Sequence, residues 1–513
     1  MKRAFPRPVA LVVALLALVA SGLAITTSTP AQAQVASHSS LPLLPRISAS
    51  GDADGDTSGD ATMYMRRLAL THDALRGAAR KQAESSLSRP RLTNEKRTCS
   101  ATLPICVHYS DTPYTSTGDA PNPRGPVTPA VVLSTLEHIY STYKAAGYRM
   151  PESDGTMGGD SRTDIYLADV GSQGYYGYCA PEPRAGSNAH DTPAFCVLDN
   201  DFSPAQFGSR GTPISNLDVT AAHEFFHAVQ FAYDATEDSW FMESTAVWVE
   251  DEVFNSINDN TQYLPFGPLG KPTLSLDKNT TFGVYGGWIF FRWVTEHRPQ
   301  AQGGPGLPKL PTIIRSMWER AAATSGSDHY SLQAITGALK AAGLPLQRAF
   351  AQFAAANRNP AHTYSEGAAN HYPLAKPTAS HKVRTTGKHT TGTVQINHLA
   401  AATERFVPKG KKLKNKHTKL RLSLDMADKK LGPGAVVTVF LRNGTTKVKT
   451  IKLSKSGKGA VSVPFSTKTV KRVELTMTNA STRMTCWVGG LYSCEGQPKD
   501  MHQLEKFSVL AKR

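Results

Sequence analysis

The sequence has few cysteines and few charged residues, and several patterns that define common protein classes are missing from it. Its 513 residues include six cysteines, and charged residues account for 19%. No Cys-x-x-Cys spacing occurs, which argues against a zinc ribbon or finger. No repeat of about 20–50 residues is visible, which excludes solenoids and propellers. Hydrophobic residues reach 40%, which is enough for a buried core.

The first residues predict export from the cell. Lys2, Arg3 and Arg7 precede an apolar run at residues 9–24, and Ala-Gln-Ala at residues 31–33 fits a cleavage site. The run is short for a membrane-spanning helix of ~20 residues, and no later stretch is apolar enough to cross a bilayer. We therefore expect residues 1–33 to be a secretory signal peptide. The mature protein is expected to be secreted and extracellular, with no membrane span.

The six cysteines form three couples of near neighbours. Six cysteines allow many pairings, but proximity in sequence favours local bonds, and an oxidising compartment lets such bonds persist. The predicted disulfides are Cys99–Cys106, Cys179–Cys196 and Cys486–Cys494.

Composition and residue periodicity divide the rest of the chain into three parts. The first part begins with a stretch that has too few large apolar residues to form a core, whereas the second has enough. Residues 34–95 begin with a Ser-, Gly- and Asp-rich stretch and continue with helical spacing at residues 63–88, so we expect disorder or a pro-segment. Residues 96–375 combine few strands with many helices, which predicts an α+β domain. Strands are predicted near 98–110, at 163–170 and at 194–202, and helices at 128–148, 217–234, 239–254, 285–297, 313–322, 330–342 and 346–357.

A change of period to two marks the third part, residues 376–513. Residues 375–392 have the composition of a linker, and beyond them apolar residues alternate with polar ones, as at Leu420, Leu422 and Leu424. Asn443-Gly444 between two such runs is a strong hairpin signal. Short strands at regular spacing predict an all-β sandwich.

The residues best suited to chemistry lie in one predicted helix, whose N-cap we expect at Asp218 or Thr220. His223, Glu224 and His227 form an HExxH motif, and the i, i+4 spacing puts both imidazoles on one helical face. Two ring nitrogens can then bind one Zn²⁺, with Glu224 placed as general base for a water molecule. Taken alone, the motif also fits two structural histidines on a partly buried helix.

Glu243 is the candidate third ligand for the same site. It lies sixteen positions after His227 on the next predicted helix, and the short connection at residues 235–238 lets the two helices pack together. Its sequence neighbours are apolar, so we expect a buried carboxylate, which needs a partner. His223, His227 and Glu243 would leave the fourth position to water, as in catalytic zinc sites. A solvated helix carboxylate is the alternative.

The segment HEFFH at residues 223–227, followed by WFMESTAVWVE at residues 240–250, resembles the gluzincin metallopeptidases, which include thermolysin-like and aminopeptidase N-like enzymes. More closely, residues 148–297 resemble a family of secreted bacterial zinc metalloproteases. The resemblance implies a zincin-like fold for residues 96–375, with Glu224 as base and Glu243 as third zinc ligand. It also implies that Glu250, seven positions after Glu243, is the partner of a zinc-bound histidine.

The comparison with gluzincins also shows departures. The interval between HExxH and Glu243 is slightly shorter than in thermolysin or aminopeptidase N. The Gly-x-Met-Glu-Asn segment with which aminopeptidase N-like enzymes hold a free amino terminus is missing, which favours an endopeptidase. Tyr285 resembles the tyrosine that aminopeptidase-type gluzincins place near the oxyanion, where a phenol can donate a hydrogen bond to developing negative charge. A core or capping tyrosine beside Gly286-Gly287 is an equal alternative.

Two acidic clusters contain the oxygen ligands that Ca²⁺ prefers, although turn and capping roles suit them better. Neither cluster fits an EF-hand loop. The clusters are Asp154/Asp160/Asp164 and Asp199/Asn200/Asp201.

Positive charge is concentrated in the predicted sandwich. Residues 381–513 hold 27 Lys and Arg against 7 Asp and Glu, a net charge of +20, whereas the preceding 380 residues carry −4. Such a surface is either simply solvated or binds an anionic polymer, such as a cell-wall polymer or an acidic glycan. No nucleic-acid-binding module is recognisable, so nucleic acid is not an expected partner.

The sequence therefore predicts a secreted zinc metallopeptidase, more specifically an endopeptidase acting on protein or peptide substrates. Zn²⁺ is the expected cofactor, and Ca²⁺ is a candidate second ion. Two alternatives stay open. One is a catalytically inactive relative that serves as an extracellular adhesion or cell-wall-binding module, and the other is an extracellular zinc hydrolase of esters or glycans.

Overall fold

The structure is a computed structural model in which residues 61–182, 190–278, 282–323, 329–486, 491–494 and 496–513 are described. The predicted signal peptide and the Ser- and Gly-rich stretch up to residue 60 lie outside the described residues. The described residues belong to a single unit.

Helices and strands are mixed in the first part of the chain, and strands dominate the C-terminal part, which confirms the α+β class. The α-helices are α1 (Ala61–Thr71), α2 (Gly77–Leu87), α3 (Pro129–Ala145), α4 (Pro204–Phe207), α5 (Pro213–Asp234), α6 (Ser239–Val253), α7 (Gly283–Gly286), α8 (Trp288–His297), α9 (Thr312–Ala321), α10 (Ser331–Ala341), α11 (Leu346–Ala356) and α12 (Pro360–Thr363). The strands are β1 (Glu95–Cys99), β2 (Ile105–Ser110), β3 (Thr163–Ala168), β4 (Gly177–Pro181), β5 (Ala194–Asp199), β6 (Ala301–Gln302), β7 (Leu310–Pro311), β8 (Ala379–Val383), β9 (His389–Asn397), β10 (Ala400–Pro408), β11 (Lys419–Asp425), β12 (Pro433–Leu441), β13 (Thr446–Thr450), β14 (Lys458–Pro464), β15 (Val470–Asn479), β16 (Met484–Thr485), β17 (Gln497–Pro498) and β18 (His502–Lys512).

A five-stranded sheet supports the helices of the first part, in the order β1-β2-β3-β5-β4. The three central strands are parallel, whereas β1 and β4 run antiparallel to their neighbours. The edge strand β4 was not predicted, because its Gly- and Tyr-rich sequence has no clear alternation. Helix α5 packs against β4 and β5, so the predicted motif helix lies beside the edge of the sheet.

All three predicted disulfides are confirmed. One joins β1 to β2, a second joins β4 to β5 below α5, and the third closes a loop near the C-terminus. The bonds are Cys99–Cys106, Cys179–Cys196 and Cys486–Cys494.

Helix α5 begins earlier than the sequence suggested, so the predicted N-cap at Asp218 or Thr220 is wrong. Thr212 is the N-cap, and its hydroxyl oxygen accepts a hydrogen bond from the Ser215 backbone N–H at 3.1 Å. The Ser215 hydroxyl oxygen accepts in return from the Thr212 N–H at 2.8 Å. This reciprocal capping box, with Pro213 at the first helical position, fixes the start of the helix.

The helix predicted at residues 285–297 is divided into α7 and α8 at Gly287. Gly286 lies so close to Gly267 that a Cβ on Gly286 would be 2.5 Å from the Gly267 nitrogen. Two adjacent glycines weaken a helix, and here one of them is required by this close approach. Tyr285 lies on the short α7, which ends at Gly286.

The segment before the sheet is helical where the structure describes it. Helix α1 packs against the edge strand β4 and buries Met63, Met65 and Arg66. The alternative of disorder for residues 34–95 therefore does not apply to residues 61–87, which form α1 and α2 with a short turn between them. The pro-segment interpretation stays a prediction.

Two facing sheets form the C-terminal β-sandwich. Their strand orders are β13-β12-β15-β10-β8 and β14-β11-β18-β9, and apolar residues from both share one core. The predicted hairpin is confirmed, with Asn443-Gly444 between β12 and β13 and Gly444 at φ 88°. The predicted linker at residues 375–392 is wrong in part, because β8 lies within it and pairs in parallel with β10.

The sandwich is joined to the helical part by buried contacts. Helix α11 packs on β12 and β15, and Arg358 Nε is 2.9 Å from Glu474 Oε2 in a buried ion pair. A segment between strands β16 and β17 also contacts the helical part, where the Cys494 N–H donates to Oδ1 of Asp238, the residue before α6, at 2.8 Å. Among the described residues, no helix has both the length and the apolarity that a membrane crossing requires.

Candidate metal centre

Helices α5 and α6 bring the three predicted ligands together. Ligand atoms of His223, His227 and Glu243 lie within 4.8 Å of one another. Glu243 Oε2 is 3.3 Å from His223 Nε2, and Glu243 Oε1 is 3.4 Å from His227 Nε2. His227 and Glu243 are 0% exposed. The short connection between α5 and α6 makes this convergence possible, and the buried group can hold a metal ion.

Gln230 fixes the tautomer of His227. The Gln230 amide nitrogen donates to the Met242 carbonyl oxygen at 2.9 Å and to Thr245 Oγ1 at 3.1 Å, so its oxygen faces His227. That oxygen accepts from His227 Nδ1 at 2.7 Å. The proton on Nδ1 leaves the Nε2 lone pair pointing to Glu243, as a metal ligand requires. His227 Nε2 is buried and has no hydrogen-bond partner among the described residues.

Glu250 plays the corresponding part for His223. Its Oε1 accepts from His223 Nδ1 at 2.6 Å, and its side chain is almost completely buried. A carboxylate behind a histidine orients the ring and raises its strength as a ligand. The predicted partnership between Glu250 and a ligand histidine therefore has the expected geometry.

The pKa values of the group reflect burial and these hydrogen bonds. Burial lowers the pKa of His227 well below its ordinary value, so this ring is neutral. Burial also acts to lower the pKa of His223, but hydrogen bonds to Glu243 and Glu250 outweigh it and raise that pKa well above the ordinary value. Burial raises the pKa of Glu250 to about 7, against the opposing hydrogen bond from His223.

Glu224 lies on the cleft side of α5 and is held from outside its own helix. The Thr62 hydroxyl donates to Glu224 Oε2 at 2.8 Å and accepts from the Cys179 backbone N–H of β4 at 2.9 Å. The backbone of Glu224 also contacts β4, since its carbonyl oxygen is 2.8 Å from Cys179 Sγ. Helix α1, the edge strand and the β4–β5 disulfide together position the predicted base.

An open cleft of about 250 Å³ borders the group. His223, Glu224 and Glu250 line it, together with Gly177 of β4 and Tyr285 of α7. The Tyr285 ring centroid lies 6.2 Å from that of His223. Tyr285 is only partly buried, so its position fits a cleft residue better than a core or capping tyrosine.

The acidic side chains predicted as calcium candidates interact with other protein groups. Asp154 and Asp164 both pair with Arg89, and Asp160 pairs with Arg97 and Arg162. Asp199 accepts backbone N–H groups from Gly171, Asp201 and Phe202. Among the described residues, neither cluster brings three acidic side chains within 4.8 Å of one another through their carboxylate oxygens. Ion pairs with arginines therefore account for the first cluster, and the turn interpretation fits Asp199. Calcium stays a prediction.

The sequence interpretation missed Gln230 and Thr62. Gln230 follows His227 at i+3, so helical periodicity could have identified it as a neighbour on the same face. Thr62 lies 162 positions before Glu224, and no local pattern connects the two. Its role depends on how α1 docks on β4.

A donor set of two imidazoles and one carboxylate suits Zn²⁺, and the buried His227 Nε2 fits a ligand of such an ion. The residues present therefore fit the predicted cofactor.

Comparisons with known proteins add little to this geometry. No family model matches the sequence, and no curated protein matches it. The crystal structure of a mitogen from Yersinia pseudotuberculosis is similar over 24% of this chain and 85% of that chain, at 10% identity and a TM-score of 0.15. A family GH115 4-O-methyl-α-glucuronidase with specificity for decorated arabinogalactans is similar over 58% of this chain and 38% of that chain, at 8% identity and a TM-score of 0.15. Similarities this weak carry no argument about this chain.

Proposed function

We propose that the protein is a secreted zinc-dependent peptidase, and that it cleaves internal bonds of protein or peptide substrates. The observation that carries the proposal is the convergence of His223, His227 and Glu243 beside Glu224 at the wall of an open cleft. The resemblance of residues 148–297 to gluzincin metallopeptidases supports it and adds a zincin-like fold. Three disulfides fit an extracellular protein.

His223, His227 and Glu243 would hold the zinc ion. When bound, zinc supplies Lewis acidity that polarises the scissile carbonyl and makes a water molecule more acidic. The Glu224 carboxylate accepts the proton of that water and later passes it to the leaving amine nitrogen. Tyr285 donates a hydrogen bond from its hydroxyl to the negative charge that develops on the carbonyl oxygen.

The wall of the cleft also suits an extended peptide. Gly177 of the edge strand β4 lines the cleft, so this end of the strand can bind a short stretch of extended peptide through backbone groups. Helix α1 covers the next part of the edge, where the Cys179 N–H donates to Thr62 Oγ1. The cleft is open rather than enclosed by a pocket for a free amino terminus, which agrees with the missing Gly-x-Met-Glu-Asn segment. These features support an endopeptidase over an aminopeptidase.

The test combines metal analysis with a casein or peptide-library assay. The purified protein should hold about one zinc ion per chain, and Glu243→Ala should lose it, because the remaining two ligands bind weakly. Glu224→Gln keeps the size of the side chain and the zinc, but its turnover should fall at least ~10²-fold because the proton acceptor is lost. Glu252→Gln, which lies further along α6 and pairs with Arg292, serves as the matched control.

The outcomes separate the three hypotheses. Wild-type hydrolysis by Glu224→Gln would reject the proposed base. A protein that holds zinc but cleaves only esters or glycans would be a different hydrolase. A protein that holds no zinc and cleaves nothing would be an inactive relative with an adhesive role.

A further inference from the structure

A second concave site lies at the junction between α11 and the sandwich, away from the metal centre. This groove has a volume of about 670 Å³. Helix α11 supplies Gln347, Arg348 and Ala351, and the sandwich supplies residues 428–430, 433–435, 450–453 and 455 around β12 and β13. None of these residues lines the cleft beside His223. We call this site the seam groove.

The rim of the seam groove is strongly basic. Five cationic side chains line it and all are exposed: Arg348, Lys429, Lys430, Lys452 and Lys455. Asp428 is the one carboxylate among the lining residues, and its Oδ2 is 4.0 Å from Lys430 Nζ. The Lys429 backbone N–H donates to the Lys455 carbonyl oxygen at 2.9 Å, which holds two of the cationic segments side by side.

The floor of the groove is apolar. Ala351, Ala435, Ile451 and Leu453 line it, and each is at most 8% exposed. Because Lys and Arg stems cover apolar surface while their charged ends stay in water, the cations stand around this floor. A linear ligand with regularly spaced negative charges would complement this groove, because its charges would contact the cationic rim and its backbone would lie over the apolar floor.

Protection of a sheet edge does not explain these lysines. Strand β13 is an edge strand, and lysines on such a strand prevent pairing with other chains. Lys447 and Lys449 lie on β13 and can serve that purpose. Lys429 and Lys430 lie in a short turn before β12, whereas Lys452 and Lys455 follow β13 and lie outside the strands. Their concentration at the groove is therefore an additional feature.

We propose that the seam groove binds a linear anionic glycan. Charge complementarity carries the inference, because five cations and one carboxylate line the groove. Four of the cations belong to the C-terminal part, residues 381–513, whose net charge is +20. No aromatic side chain lines the groove, so it offers no stacking platform for nucleic-acid bases. Its concave shape fits a chain better than the flat surface of a lipid bilayer. Lysines act as mobile point charges and suit repeated sulfate or carboxylate groups better than a single fixed anion.

Immobilised heparin is the probe, and the full chain is tested because both α11 and the sandwich form the groove. The double variant Lys452→Glu/Lys455→Glu should lose at least about tenfold in heparin affinity at low salt, because two attractive charges become repulsive. Arg348→Glu should also weaken binding, since it changes the helical side of the same groove.

Lys411→Glu/Lys412→Glu is the matched control, with the same change in net charge. These lysines follow Pro408 at the end of β10, whereas the groove adjoins Pro433 at the start of β12. Pairing of both strands with β15 places the two positions at opposite ends of the sheet. The control should change heparin affinity less than about threefold. Thermal unfolding of all variants should match the wild type, because the substituted side chains are exposed.

Three results would overturn the proposal. One is a wild-type protein that passes through the heparin column unretained at low ionic strength. Another is equal loss in the groove and control variants, which would mean that net charge alone causes retention. The third is tighter binding to single-stranded DNA or to anionic phospholipid vesicles than to heparin. None of these readouts depends on zinc or on peptide cleavage.

Discussion

Glu250→Gln tests the metal centre at the point where the structure is most specific. Glu250 Oε1 lies 2.6 Å from His223 Nδ1 and does not belong to the predicted ligand group. Glutamine keeps an oxygen that can accept the same hydrogen bond, so the ring orientation should be retained. What is lost is the negative charge that strengthens the His223 Nε2 lone pair as a ligand.

The expected effect is a 10–100-fold loss in zinc affinity, the usual range for groups behind a ligand histidine, or about 1.4–2.7 kcal/mol. Zinc dissociation constants are measured by competition with a chromophoric chelator at constant pH. Thermal unfolding of the zinc-free protein is recorded in parallel. A change in zinc affinity without a comparable loss of stability would identify a role in metal binding.

Glu252→Gln provides the comparison on the same helix. Burial raises the pKa of Glu252 to about 7, as it does for Glu250, but Glu252 interacts with Arg292 at 3.3 Å instead of with a ligand histidine. We expect its zinc affinity to equal that of the wild type. The reasoning would be refuted by Glu250→Gln binding zinc as tightly as the wild type, or by both variants losing affinity equally.

Two further predictions concern stability. Arg66→Ala should destabilise the protein by about 2–4 kcal/mol in chemical denaturation, because Arg66 is 0% exposed and donates at 2.6 Å to both the Glu237 carbonyl oxygen and Ser239 Oγ. The exposed Arg67→Ala should change stability by less than about 0.5 kcal/mol, and equal effects would show that α1 is not an integral part of the body. Glu505→Gln should make stability less dependent on pH. Burial raises the pKa of Glu505 from 4.5 to about 7, so the folded state holds a proton that the unfolded chain releases. The stability of the wild type is therefore full below about pH 4.5 and is lost as the pH rises through about 7, and Glu505→Gln should exceed it by about 2–3 kcal/mol at pH 8 but not at pH 4. The same difference in unfolding free energy between the two proteins at pH 4 and at pH 8 would contradict this assignment.

The helices around the candidate site were predictable because their signals are local. HExxH on an apolar helix places two imidazoles on one face by helical geometry alone. The apolar neighbours of Glu243 indicated a buried carboxylate, and the short connection between the helices indicated packing of α5 against α6. The start of α5 was misplaced because the capping residue Thr212 precedes the apolar pattern by several positions.

Other features depend on contacts between distant parts of the chain. The edge strand β4 is defined by pairing with β5 rather than by alternation of its own sequence. Strand β8 has the composition of a linker and becomes a strand because β10 offers it a parallel neighbour. Only the tertiary structure shows that Gly286 approaches the backbone of Gly267 too closely for a side chain.

The sequence by itself determined which residues can act as ligands and base, which cysteines pair, and where positive charge accumulates, because residue type and short-range spacing carry that information. The tertiary structure alone decided what stands behind and beside those residues. It places Thr62 of α1 on Glu224, and Arg348 of α11 across from the lysines of the sandwich. These contacts join residues far apart in sequence, and packing between elements fixes them, so no local periodicity could have revealed them.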